Sequence, residues 1–515
     1  MTLSARQGLA ASLGLGSLAL LPAWDAVLSL PGAARGWTPL AWVLGGTLTL
    51  TIALEMCRRA SRPARLMLGL AVGAVLAALL FETLAFFYVD LKNSLAVVAG
   101  PWYRWARDLI AAAVLLASGF LLWLGVRKGA SWIRGLLSEA LALLAALPAV
   151  LVVSYLMPGA MPPQHESAAQ ARRVVVALVL DELDTSAIDA DIANLPNFAA
   201  IRARAFSASR MYPPANYTSE SLPGMIAGEN FEQATYSRRD VHVLPAGSSD
   251  WLSLSGRGTL FEDARQRGAR AALIGWHLPY CTIVRTAYPC WDDAAYRAPG
   301  HSISLPVWLL GHSRLYSAAE NRWLDGKAAD VREYSRAFLS SAQNYRLQHI
   351  GEIFADQHNA LLQTLESGRS ELVFAHLACP HAPSLHRDQV AKLDMFQAYA
   401  ANLRVCDRLL GEVLGLLERG RYADGWALAV TSDHWFRGRD WLDAGRPLST
   451  PSARRPVPFY LLTAGAAAPE TTDVTSNSRV LRRLVIDALD PGFMPARARS
   501  LIESQGDSPT ILRRF

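Results

Sequence analysis

The sequence is poor in cysteine and, over its first third, poor in charge. Cysteine accounts for 5 of 515 residues, too few for a disulfide-dense scaffold. Residues 1–156 hold 12 Lys/Arg and 6 Asp/Glu, which leaves 38 of each sign (50 minus 12, 44 minus 6) for everything after them. The large C-terminal region is therefore near neutral, and the formal net charge of +6 resides in the N-terminal part. A nucleic-acid partner, which asks for a basic face on the soluble domain, is excluded on this balance. No clear Ala-x-Ala exit follows the first apolar run, so a cleaved signal peptide is not expected.

What is abundant is apolar sequence: 51% of residues are hydrophobic and the mean hydropathy is +0.17. Five runs approach the ~20 apolar residues that cross a bilayer: Gly8–Leu30, Pro39–Met56, Leu66–Val89, Leu109–Val126 and Gly135–Leu156. Arg6, Arg58, Arg59, Arg62, Arg65, Arg127, Lys128 and Arg134 fall on one side of these spans. Arg35, Lys92, Arg104 and Arg107 fall on the other, beside an aromatic cluster of Trp102, Tyr103 and Trp105. The basic excess marks the cytoplasmic face, so an odd number of crossings carries the chain after Leu156 to the outside. The expected organisation is a five-helix transmembrane domain over 1–156, a Pro-containing linker over 157–172, and a catalytic domain over 173–515. Asp25, Glu55, Glu82 and Glu139 lie within or near the spans, either satisfied at interfaces or marking a ligand path. Glu82, followed by Phe86, Phe87 and Tyr88, is the one placed to meet a lipid head group.

The cysteines agree with this topology. Cys57 sits at the cytoplasmic end of the second span, where it stays reduced. Cys281, Cys290, Cys379 and Cys406 all lie outside and are even in number. Cys281 and Cys290 close a short loop and form the preferred pair, with Cys379–Cys406 open as a second.

In the C-terminal region three runs read as strands that end in Asp, Glu or His. Val174–Leu180 is unbroken and β-branched, as a central parallel strand covered on both faces demands, and it stops at Asp181 and Glu182. Trp426–Ser432 stops at Asp433 and His434. Glu371–His376 is followed by His381 in a Pro-rich stretch. Such ends converge on one edge of an open α/β sheet, where ligands bind. Carboxylate oxygens and imidazole nitrogens suit a divalent ion such as Zn²⁺ or Mn²⁺. Between the first strand and the others, Tyr212–Ser221 brings prolines and then hydroxyls into what reads as a helix start, closed at Gly228. That start is either an anion-binding helix N-terminus or an ordinary Thr/Ser cap with Glu220 in the first turn.

This order of motifs resembles the sulfatase-like branch of the alkaline phosphatase superfamily: strand–Asp181-Glu182, a nucleophile turn, His-x-Pro, then Ser432-Asp433-His434. In that branch the nucleophile opens an eleven-residue stretch ending in Gly, which puts Thr218 in its place. The Cys/Ser-x-Pro-x-Arg motif of sulfatases, matured to formylglycine, is absent. A threonine after five membrane helices is instead similar to the envelope phosphoethanolamine and phosphoglycerol transferases. Two departures stand out: Asp181-Glu182 replaces a single Glu, and Trp435 replaces the Gly after Asp-His.

The resemblance implies an alkaline-phosphatase-like α/β domain with a central, mostly parallel sheet. It implies a divalent metal, Zn²⁺ first and Mn²⁺ or Ca²⁺ as alternatives, held by Asp181 or Glu182, Thr218, Asp433 and His434. Thr218 would be the covalent nucleophile, and His381 a general acid or a ligand to a second metal. Asn216, His376, Arg437, Arg454 and Arg455 would contact substrate, His376 equally fitting a structural role and the arginines equally reading as solvated surface residues; Asp407 reads as a structural carboxylate. The expected reaction moves a phospho-head group from a membrane phospholipid to an envelope glycan or lipid. A phosphate- or sulfate-ester hydrolase is the alternative.

Overall fold

A computed structural model describes residues 5–28, 37–59 and 146–156 of the N-terminal part and, apart from short gaps, 171–297 and 347–512. The chain divides into two compact units, one holding the N-terminal helices and the other the sheet.

In the first unit, helices span Ala5–Ala19, Leu21–Leu28, Trp37–Arg59 and Leu147–Leu156. The first apolar run is thus broken at Leu20 into two helices. Gly16 lets helices approach closely, since a Cβ there would stand 3.2 Å from the Thr47 carbonyl oxygen. Trp24 Nε1 donates to Thr47 Oγ1 at 3.3 Å, so the buried indole is satisfied inside the apolar packing. Glu55 pairs with Arg59 one turn on, at 2.7 Å. Among the described residues one helix is long and apolar enough to cross a membrane, over Leu40–Cys57 with mean hydropathy 1.6. Apart from three positions of the third, the third and fourth predicted spans, the first half of the fifth, Glu82, Glu139 and most of the predicted linker lie outside the described residues.

The second unit is built on strands β1 (Val174–Leu180), β2 (Phe206–Ala208), β3 (Met211–Tyr212), β4 (Phe231–Tyr236), β5 (Val241–Pro245) and β6 (Leu252–Ser253). They continue as β7 (Ala271–Ile274), β8 (Ala287–Trp291), β9 (Leu372–Leu377), β10 (Trp426–Thr431), β11 (Phe459–Thr463), β12 (Glu470–Thr472) and β13 (Ser476–Asn477). Eight of them form one sheet in the order β12-β2-β11-β10-β1-β9-β7-β8. Its centre is parallel: β1 pairs with β10 on one side and β9 on the other, and β9 continues into β7 and β8. Strand β11 runs antiparallel to both β10 and β2. The α/β architecture with a mostly parallel sheet is therefore as expected.

The unbroken apolar character of β1 has a direct cause. Val175, Ala177 and Val179 pack into one core with the helices Thr218–Ala227, Leu260–Gln266 and Leu481–Asp487. Val174, Val176, Leu178 and Leu180 pack into another with Pro196–Arg202, Ile350–Ser367 and Met395–Glu418. Both faces are covered, so no position can be polar until the strand ends. Both disulfides formed from the four C-terminal cysteines are present, Cys281–Cys290 and Cys379–Cys406, and Cys57 is free.

Candidate active site

Because β1, β9 and β10 are parallel neighbours, their carboxyl ends fall side by side, and each delivers polar groups to the same spot. Asp181, Asp433 and His434 form a fully buried cluster whose ligand atoms all lie within 4.8 Å of one another. Asp433 Oδ2 stands 3.4 Å from His434 Nε2, and Asp181 Oδ1 3.8 Å from it. His376, the penultimate residue of β9, closes the group: its Nε2 is 3.7 Å from Asp181 Oδ2 and 3.9 Å from Asp433 Oδ2.

Three atoms of this cluster, Asp181 Oδ1, Asp433 Oδ2 and His376 Nε2, are buried without a hydrogen-bond partner. Buried polar atoms are almost always partnered, and here the orphans face one another. The ring orientations fit as well. His434 Nδ1 donates to the Trp435 carbonyl at 3.0 Å, which leaves Nε2 as a lone pair directed at the carboxylates. This donor set fits a borderline divalent ion. Burial, then Asp433 and Glu182, push the Asp181 carboxyl well above the usual carboxylate range. Burial drives His376 down to about 4, so it is neutral at pH 7 and available as a ligand. Metal binding is expected to release the proton that Asp181 holds. Affinity should fall as pH falls, and calorimetry in buffers of different ionisation enthalpy should register protons released per ion bound.

Thr218 reaches the cluster from the helix Thr218–Ala227, every residue of which is buried. It is the first helical residue and not the cap: Tyr217 precedes it as N-cap without a side-chain cap bond. Its hydroxyl is therefore not consumed by the backbone, and Oγ1 lies 3.2 Å from His434 Nε2. The neighbouring hydroxyls are committed elsewhere. Ser219 Oγ donates to Glu220 Oε2 and Ser221 Oγ to the Asp433 carbonyl, each at 2.5 Å. Gly228 ends the helix at φ +71, a conformation that L side chains rarely adopt.

Glu182, counted among the ligands on sequence grounds, falls outside the cluster. It adopts φ +63, unusual for a residue with a Cβ, and its N–H donates to Asp433 Oδ1 at 3.2 Å. Tyr399 OH, donating to the Glu182 carbonyl at 2.9 Å and accepting from Asp184 N–H at 3.1 Å, fixes that turn. The reversed turn sends the carboxylate to Arg437, whose Nε donates to Oε1 at 2.7 Å. Burial opposes ionisation of Glu182, but His381, Arg437 and His434 outweigh it and bring its pKa to about 2. Arg437 also stands 5.0 Å over the Tyr217 ring, beside the start of the helix that carries Thr218.

The remaining predicted residues scatter. Arg454 is held bidentately by Asp507 at 2.7 Å and lies over the Tyr212 ring, while Arg455 pairs with Asp440 and Asp443. Both are occupied as structural cations, so neither is presented as a clamp for phosphate. Asn216 is buried, and its N–H donates to the Ile511 carbonyl at 3.1 Å. Asp407 caps the helix Pro196–Arg202 by accepting from the N–H groups of Asn197 and Phe198. Trp435, in the place expected for Gly, is fully buried with its Nε1 donating to Asp440 Oδ2 at 2.9 Å.

His381 is half-buried, packs edge-on against Trp276 and donates Nδ1–H to the Ala382 carbonyl. Burial first, and Arg437 after it, hold its pKa below the usual imidazole value, against the pull of Glu182. Sequence reading passed over what positions it. Asn402, fully buried on the helix Met395–Glu418, donates to the His381 and Pro383 carbonyls at 2.8 Å and accepts from Leu385 N–H. Gln357 likewise brackets His376, donating to its carbonyl at 2.7 Å and accepting from Ala378 N–H at 3.0 Å. Asn402→Ala should leave these carbonyls and an N–H unsatisfied, costing about 2–3 kcal/mol in a denaturant titration. It should also lower turnover more than it changes metal content.

A protein-family model described as Sulfatase matches residues 173–482. No curated protein matches. Among solved structures, the C-terminal periplasmic domain of the phosphoethanolamine transferase EptC from Campylobacter jejuni aligns at 12% identity and TM-score 0.38, covering 66% of this chain and 97% of that one. A phosphonate monoester hydrolase from Silicibacter pomeroyi aligns at 14% identity and TM-score 0.38, covering 66% and 78%. The PsFucS1 sulfatase from Pseudoalteromonas sp. aligns at 13% identity and TM-score 0.41, covering 64% and 69%.

Proposed function

The chain belongs to the sulfatase family, and we propose that within it this protein is a metal-dependent phosphotransferase working through a phosphothreonine at Thr218. The group moved is of phosphoethanolamine or phosphoglycerol type, the donor a membrane phospholipid, and the acceptor an envelope glycan or lipid. The observation that carries the reading is the Thr218 hydroxyl, uncommitted to capping, 3.2 Å from His434 Nε2. It lies at the first turn of a buried helix beside a cluster of orphaned ligand atoms. A threonine cannot be matured to formylglycine, so the usual sulfatase route is closed to this site.

Asp181, Asp433, His434 and His376 would hold the ion, with Zn²⁺ the best match to this oxygen and nitrogen set. A bound dication would offset charge on the attacked phosphorus and lower the threonine pKa. Thr218 Oγ1 bonds to phosphorus as its proton passes to the unprotonated Nε2 of His381, whose Nδ1–H is held by the Ala382 carbonyl, and the bond from phosphorus to the diacylglycerol oxygen breaks. His381 then returns that proton to the diacylglycerol oxygen. Helix N–H groups and Arg437 stabilise the phosphoryl oxygens. An acceptor hydroxyl then forms the new ester as the Thr218–phosphorus bond breaks, its proton passing back to Thr218 Oγ1. Five membrane spans, with the catalytic unit outside the cytoplasmic membrane, would bring the site to its lipid donor.

Hydrolysis is the second reading, since water in place of the acceptor gives the same first half-reaction. The test is mass spectrometry of the full-length protein in detergent after incubation with labelled phosphatidylethanolamine or phosphatidylglycerol. A head-group adduct on the Thr218 peptide is expected, chased faster by a glycan or lipid acceptor than by water. Chase by water alone supports the hydrolase, and absence of any adduct during turnover defeats both readings.

A further inference from the structure

At the far end of the helix that carries Thr218 lies a second polar cleft that the reaction above does not use. It has a volume of about 800 Å³, in the range of sites that enclose small ligands. Ala227 and Gly228 line it, so it is separated from Thr218 by the length of a ten-residue helix, about 15 Å.

The lining is cationic, with five arginines against two aspartates. Three of the arginines are fixed by protein partners. Arg482 donates to both oxygens of Asp263 and to the Ala227 carbonyl, and Arg267 and Arg497 both reach Asp487. Gly228 is required here twice over: φ is +71, and a Cβ would stand 3.1 Å from Arg482 Cδ. The other two arginines, Arg479 and Arg483, meet no carboxylate within 4.0 Å among the described residues. Arg479 Nε is buried without an acceptor, and Gln505 Oε1, on the same lining, is buried without a donor.

An orphaned guanidinium donor asks for an oxyanion, and an orphaned amide acceptor asks for a hydroxyl. A plain anion satisfies the first and not the second. We propose that this cleft binds a saccharide bearing phosphate or sulfate esters, independently of the metal cluster. The esters engage Arg479 and Arg483, and a sugar hydroxyl donates to Gln505. The fixed arginines set the positive field without being consumed. Such a site would hold an anionic glycan on the enzyme while a different part of it, or a different molecule, occupies Thr218.

The experiment measures binding of a κ-carrageenan tetrasaccharide, which carries sulfate esters beside free hydroxyls, and of inorganic sulfate to the full-length protein in detergent by calorimetry. It compares wild type, Arg479→Ala/Arg483→Ala, Arg479→Lys/Arg483→Lys, Gln505→Leu and Asp433→Asn. The tetrasaccharide should bind wild type and Asp433→Asn alike, and at least about tenfold more tightly than sulfate. The double Ala variant should weaken it by about tenfold or more. The Lys variant should recover part of the loss, which shows that the fold survives, and Gln505→Leu should weaken the tetrasaccharide while sparing sulfate. Binding lost in Asp433→Asn but intact in the double Ala variant would put the ligand in the metal site and overturn the proposal. So would absence of binding to wild type.

Discussion

Thr218→Ala should abolish turnover while leaving folding and metal content nearly intact. Removing an attacking atom from a covalent mechanism costs roughly 10⁴–10⁶-fold in kcat. The hydroxyl makes one contact, to His434 Nε2, and caps nothing, so the helix loses little when it goes. Thr218→Ser keeps the oxygen at the same place and should retain partial activity. The flanking serines give the contrast that makes the experiment discriminating. Ser219→Ala removes a bond to Glu220, a carboxylate that also accepts from Ala234 N–H, and should be mild. Ser221→Ala removes a bond to the Asp433 carbonyl, so it should lower metal affinity before it lowers the chemical step. Adduct that persists in Thr218→Ala, or activity lost only with Ser219, would move the nucleophile and break the register that counts back from Gly228.

What the sequence made legible follows from where its signals arise. Three apolar runs ended in acids or histidines because the strands are covered on both faces and only their ends can be polar. Reading those runs was enough to bring β1, β9 and β10 to one edge. Asp433 and His434 followed from the same logic. The sharing of labour between Asp181 and Glu182 did not, because it depends on the turn at φ +63 that sends consecutive carboxylates to different places. No residue type announces that turn: it is enforced from outside by Tyr399, more than 200 positions away. His376 was visible at a strand end, but its role depends on which face of β9 it occupies, a matter of register that a six-residue apolar run does not declare. Arg454 and Arg455 misled for a related reason. Their proximity in sequence to Asp433 carried no information about Asp507, Asp440 and Asp443, which already hold them. Asn402 and Gln357 left no signal at all, since a buried amide that brackets a loop looks in sequence like any polar residue on a helix.

The orphaned carboxylates also make Asp433→Asn a variant of unusual sign. In the metal-free protein, Asp433 Oδ2 has no hydrogen-bond partner and shares a buried pocket with Asp181. Two buried carboxylates this close destabilise the fold when both ionise. Asp181 has its folded pKa raised above the unfolded value, so its contribution is present at low pH and is lost as pH rises toward that raised value. Metal-free wild type should therefore become less stable as pH rises across this window, and a bound dication should reverse the trend. An amide at position 433 keeps the Oδ1 acceptor for the N–H groups of Glu182 and His434 and removes one of the two charges. Metal-free Asp433→Asn should consequently melt at or above the wild-type temperature near pH 7, with a shallower decline as pH rises. Its response to metal should be nearly absent. An ion at about a hundred times its dissociation constant adds about 2.7 kcal/mol to wild type, and nearly all of that should vanish in the variant along with turnover. Thermal denaturation of both proteins with chelator and with Zn²⁺, across pH 5 to 9, reads all of these effects together. An undiminished metal-dependent rise in Asp433→Asn would place the ion elsewhere, and a metal-free variant much less stable than wild type would mean that Asp433 serves the fold more than the ion.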